Sequence, residues 1–121
     1  MANEKSELKD AAHYIWGDGC DGWHLVRNEH LSVIEERMPP ATSEVPHHHR
    51  VSRQFFYVLQ GTLTMVVDGT LSRIETGTGV EIAPGTVHQA RNDSGADVRF
   101  LVVSQPPSHG DRQEEKASPG T

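Results

Sequence analysis

Pro46-His47-His48-His49-Arg50-Val51-Ser52-Arg53-Gln54-Phe55-Phe56-Tyr57-Val58-Leu59-Gln60-Gly61 carries more structural information than any other run in the chain. In an extended segment successive side chains alternate between faces. His47 and His49 then share one face and His48 takes the other. Two imidazoles on one face, one residue apart, can reach a common metal ion. Residues 50–53 turn the chain and Gln54 opens the next strand. An adjacent antiparallel strand would set Gln54 beside the histidine pair. From Gln54 the same alternation sends Phe56 and Val58 inward and Phe55, Tyr57 and Leu59 outward. Taken alone, the three histidines also fit a solvated surface run.

The pattern continues on both sides. Short runs of β-branched and aromatic residues recur between Gly, Pro, Asn and Asp. They predict strands over 13–16, 23–26, 31–38, 45–49, 54–59, 62–67, 71–74, 80–82, 88–92 and 98–104. Asp68-Gly69 is a two-residue hairpin signal, and Gln60-Gly61 reads as a tight break or bulge. No window after residue 12 has helical periodicity. An all-β barrel or sandwich follows. Residues 1–12 read as an N-terminal arm, 13–105 as the barrel and 106–121 as a flexible C-terminal tail carrying three prolines. Within the barrel Glu35 and Arg37 share one face and Glu36 takes the other. Trp16 and Trp23, in a Gly-rich stretch, could flank the mouth of a pocket or cover the core, and the second is expected.

The 121 residues suit one domain, and 35% hydrophobic residues supply one modest core. A formal net charge of -6 argues against nucleic-acid binding, which uses a basic face. No apolar run approaches a membrane span, and Met1 to Asp10 is polar, so a cytoplasmic location is expected. A single cysteine, Cys20, excludes an internal disulfide and a cysteine metal cluster.

His47-x-His49-x4-Gln54-x6-Gly61 resembles the first cupin motif, in which Glu normally stands at the Gln54 position. Gly77-x5-Ala83-Pro84-Gly85-x2-His88-x3-Asn92 resembles the second, with Ala83 where Pro is usual. The resemblance spans roughly residues 31–104 and implies a double-stranded β-helix, a jelly-roll barrel. It also implies that His47, His49 and His88 are metal ligands, with Gln54 fourth. A Gln offers a neutral carbonyl oxygen in place of a carboxylate. A bound ion would then be one charge less compensated, with weaker metal affinity and stronger attraction for anions. A cupin that has lost its metal is the opposing reading.

The ion implied is divalent: iron, manganese, nickel, copper or zinc. The partner is a small-molecule ligand, with no nucleic acid and no membrane. Small cupins commonly pair through sheet edges, so a homodimer is expected. The resemblance leaves two functions open. One is an enzyme of dioxygenase, isomerase or lyase type. The other is a small-molecule or sugar-binding module without turnover. No catalytic carboxylate is visible within the two motifs.

Overall fold

The fold is that of a computed structural model describing residues 4–115. After a 3-10 turn at Leu8–Asp10, the chain runs through twelve strands. These are β1 (Ala12–Trp16), β2 (Cys20–Arg27), β3 (Ser32–Met38), β4 (Thr42–Ser43), β5 (His47–His49) and β6 (Arg53–Gln60). They continue as β7 (Leu63–Val67), β8 (Thr70–Ile74), β9 (Gly79–Ile82), β10 (His88–Asn92), β11 (Val98–Gln105) and β12 (Arg112–Glu114). Every strand expected from the sequence is present, with ends moved by up to three residues. Strands β4 and β12 were not expected.

Two antiparallel sheets form the barrel. One has the order β1-β2-β3-β11-β6-β9, the other β12-β5-β10-β7-β8, with β4 pairing β10. The Asp68-Gly69 turn has positive φ at both residues (52° and 84°), as a tight hairpin joining Val67 to Thr70 requires. The irregularity expected near Gly61 is a register shift where Arg99 pairs Gln60 and Phe100 pairs Val58, leaving Leu59 as the extra residue.

The core lies between the sheets. Met38, Val58, Leu63, Met65, Ile82, Val98 and Phe100 are fully or almost fully buried. Burial alternates cleanly along β6, with Gln54, Phe56 and Val58 inside and Phe55, Tyr57 and Leu59 on the outer face. Cys20 belongs to this core, where it packs and where burial pushes its thiol above the ordinary range.

Two expectations need correction. Trp16 does pack against the core, but Trp23 lies on the outer face beneath the Arg99 guanidinium, 4.9 Å from the ring centroid. The segment after Pro106 does not leave the barrel. Strand β12 pairs β5 through Arg112–His49, Gln113–His48 and Glu114–His47. Its anchor is Asp111, whose carboxylate accepts from the backbone amides of Arg50 (3.0 Å), Val51 (2.9 Å) and Ser52 (2.8 Å). Those amides belong to the corner between β5 and β6 and have no ladder partner of their own. Residues 116–121 lie outside the described residues.

Candidate metal centre

Strands β5 and β10 lie side by side, with His47 opposite His88 in register. His49 shares the inward face of β5 with His47. One ring nitrogen from each of His47, His49 and His88 lies within 4.8 Å of the other two, and all three residues are buried. The ring centroids of His47 and His88 are 4.4 Å apart. His48 takes the opposite face, where its Nδ1 meets the Glu115 carboxylate at 2.8 Å.

Hydrogen bonds fix two of the three tautomers. His47 Nδ1 lies 2.9 Å from the Val45 carbonyl, and His88 Nδ1 lies 2.9 Å from the Thr86 carbonyl. A carbonyl only accepts, so each Nδ1 carries the proton and each Nε2 presents a lone pair. Backbone carbonyls commonly orient metal-ligating imidazoles in this way. His49 Nδ1 is buried without a partner among the described residues. Burial, opposed in His47 by its Val45 bond, depresses the basicity of His47 to about 3 and, with added repulsion from His88, that of His49 to about 4. His88 is lowered for the same first reason. All three rings are therefore neutral and able to donate lone pairs at neutral pH.

Gln54 is also buried, and its Oε1 faces His88 Nε2 at 3.2 Å while its Nε2 donates to Ser104 Oγ at 2.9 Å. It arrives by a different route from the one expected. Strands β5 and β6 belong to different sheets, so Gln54 is not a ladder neighbour of the histidines. Residues 50–52 form a corner between sheets, tied by Asp111, and Gln54 reaches His88 across the barrel interior. With Nδ1 of His88 protonated, Oε1 and Nε2 are two acceptors facing each other. A cation between them satisfies both; without one, a half-turn of the amide would let it donate to His88.

His47 and His49 line a cavity of about 340 Å³ whose far wall comes from β1, β3, β6 and β11. Tyr14 and Glu36 stand on that wall, with the tyrosine hydroxyl donating to Glu36 Oε2 at 3.2 Å. They occupy one row across the sheet: Tyr14 pairs Gly22, and Gly22 pairs Glu36. The tyrosine ring fills the space above Gly22, where a Cβ would lie 2.1 Å from Cζ. Burial first, then the Glu44 carboxylate, pushes Glu36 up to about 8. Glu44 accepts from the Ala90 amide at 2.9 Å and is itself pushed up to about 7 by burial. Arg112 lines the cavity from β12.

The family model for the cupin domain matches residues 34–104, more than half of the sequence. The chain belongs to the cupin family. An uncharacterized protein of Methanocaldococcus jannaschii is 29% identical to this cupin over 115 residues, covering 90% of this chain and 92% of the relative. The polyketide cyclase RemF of Streptomyces resistomycificus superposes with a TM-score of 0.81 at 21% identity, over 98% of this chain and 89% of its own. A predicted oxalate decarboxylase of Thermotoga maritima superposes with a TM-score of 0.76 at 20% identity, over 84% of this chain and 98% of its own. At these identities the two superpositions establish the double-stranded β-helix and nothing of the chemistry.

Sequence reasoning brought His47, His49, His88 and Gln54 to one place in this cupin, and it missed Tyr14, Glu36, Glu44 and Arg112. For Glu36 a signal existed. Met38 is core and Ile34 lines the cavity, so alternation sends Glu36 inward with them while Glu35 and Arg37 pair outside with Arg99 and Asp21. Glu44 and Tyr14 carry no comparable mark. Asn92, which begins an Asn-Asp-Ser sequon, is fully buried and donates to the Met38 and Ala96 carbonyls. It is a structural residue.

Proposed function

We propose that this cupin is a metal-dependent enzyme acting on a small-molecule ligand bound in the barrel cavity. His47, His49 and His88 hold one divalent ion, and the Gln54 side-chain oxygen is the fourth ligand. The observation that carries this reading is the convergence of three buried, neutral imidazoles whose ring nitrogens lie within 4.8 Å of one another. The facing acceptors of Gln54 and His88 fit the same ion. When bound, the ion would supply Lewis acidity toward a ligand oxygen at an open coordination position. With four neutral ligands it keeps its full double charge, which favours an anionic or enolisable ligand.

The chain's own residues do the rest. The histidines and Gln54 orient the site, and Phe56 and Val102 give its wall an apolar surface. Glu36 and Glu44, partners of no described cation within ion-pair distance other than His47 at 3.9 Å from Glu44, supply carboxyl groups to the cavity. These groups favour turnover over passive binding.

Metal analysis of protein purified without chelator tests the reading. Wild type should carry close to one ion per chain. His49→Ala should lose it, while His48→Ala, altered on the outward side, should keep it. Equal loss in both variants, or no ion in wild type after supply of each candidate metal, would refute the site. The same reading includes a homodimer formed through the outer sheet face, where Phe55, Tyr57 and Leu59 are 41%, 36% and 40% exposed.

A further inference from the structure

The carboxyl group of Glu36 has one protein partner, the Tyr14 hydroxyl on Oε2. Its other oxygen has no hydrogen-bond partner among the described residues and is not walled off from the cavity. Three features hold it there. It alternates inward with Ile34 and Met38, the Tyr14 ring is seated in the space left by Gly22, and the row Tyr14–Gly22–Glu36 is fixed by ladder pairing on both sides. A carboxyl placed for structure alone would have both oxygens paired, as Asp111 does with the backbone amides of Arg50, Val51 and Ser52.

We propose that Glu36, positioned by Tyr14, is a proton-transfer group of this cavity, acting on the carbon or oxygen of a carbonyl or enolic ligand. The proposal rests on the reading of the cavity as a ligand site beside a metal. In the step, the Glu36 carboxylate takes a proton from the carbon next to a ligand carbonyl. The C–H pair becomes the C=C bond of an enolate, and the carbonyl π pair moves to oxygen. Reversal returns a proton from the carboxyl to carbon and restores the carbonyl. No electrons are gained or lost, and Glu36 ends in its starting form. The groups facing Glu36 are Tyr14 from β1, Glu44 and His47 on the opposite sheet, and Arg112 from β12. Burial and Glu44 hold its proton affinity near neutrality, where a general acid–base group is most effective.

The test uses full-length, metal-loaded protein and pyruvate and 2-oxobutyrate as probes. Deuterium uptake at the carbon beside the carbonyl is followed by NMR in D2O, and metal content is measured on every sample. Wild type should catalyse exchange, and Glu36→Gln should lower it about 100-fold or more with metal content unchanged. Glu36→Asp should retain part of the rate. Tyr14→Phe keeps the metal and removes a hydrogen bond that stabilises the carboxylate. A second readout needs no turnover: in metal-free protein with carbon-13-labelled glutamate, the resonance missing from Glu36→Gln should titrate near 8, and higher in Tyr14→Phe. Exchange that is absent in metal-loaded wild type, or unaffected by Glu36→Gln while the ion stays bound, would overturn the role of Glu36. Loss of the ion itself in wild type would instead overturn the metal reading.

Discussion

Glu36 sets the acid–base behaviour of the metal-free protein. Its folded-state value of about 8 stands above the ordinary carboxylate value of 4.5, so between those limits the folded chain holds a proton that the unfolded chain has released. Stability then falls as pH rises through that window. Glu44 acts in the same direction, but only up to about 7. The histidines act in the opposite direction. Lowered to about 3 and 4, His47 and His49 bind fewer protons folded than unfolded, and stability rises with pH until about 6.5. Between pH 7 and 8 Glu36 is the main group still titrating, with the last part of the Glu44 titration beside it. Thermal melts in chelator should therefore show wild-type Tm falling from pH 7 to 8, the stability lost through Glu36 being at most about 1.4 kcal/mol per pH unit. Glu36→Gln should be nearly flat over that range. Parallel curves for the two proteins would remove the buried acid from the account. At this scale the shared face of His47 and His49 was legible because a strand's period of two is rigid. Glu36 was half-legible, since its inward parity could be read while its Tyr14 partner comes from a strand 22 residues away.

Strands β5 and β6 show how a short corner sets the site. Three residues turn the chain from one sheet to the other, and a turn that short leaves its amides without ladder partners. Asp111 collects all three, and the backbone amides of Ser52 and Val51 hold its carboxyl below the usual range. Asp111→Ala should free the corner and loosen β12 from β5. The expected result is a lower Tm and weaker metal retention in a chelator competition, with the far-ultraviolet β spectrum kept. Unchanged metal retention would show that the corner does not position His49 and Gln54. The strands themselves were legible from β-branched runs and turn residues. The sheet assignment of β6 was not, because a four-residue link fits a hairpin as well as a corner and local sequence does not distinguish them. Strand β12 was missed because Arg-Gln-Glu has no apolar alternation; its pairing comes from backbone bonds and from Asp111, which act over a separation of about 60 residues.

At the scale of the molecule, two sheets enclose a core and, beside it, a cavity lined by polar and apolar side chains alike. The single-domain barrel was legible because two motifs in order fix both ends of the histidine site. The outer face is where the account extends past one chain. Phe55 and Tyr57 stack there with ring centroids 6.3 Å apart, and Leu59 continues the stripe. Light scattering at micromolar concentration should give twice the 13.4 kDa chain mass, and Tyr57→Asp should shift it toward the monomer while leaving the metal bound. A monomeric mass for wild type would assign that stripe to a single chain.

The most direct measurement is anomalous diffraction from crystals of protein purified without chelator, recorded at the absorption edge of the metal found by elemental analysis. One strong peak is expected inside the barrel. It should lie about 2.0–2.3 Å from a ring nitrogen of His47, His49 and His88 and close to Gln54 Oε1, with His48 turned away. A peak bound by His48 or lying outside the barrel would contradict it. So would a loaded crystal with an empty histidine cluster and Gln54 donating its amide to His88.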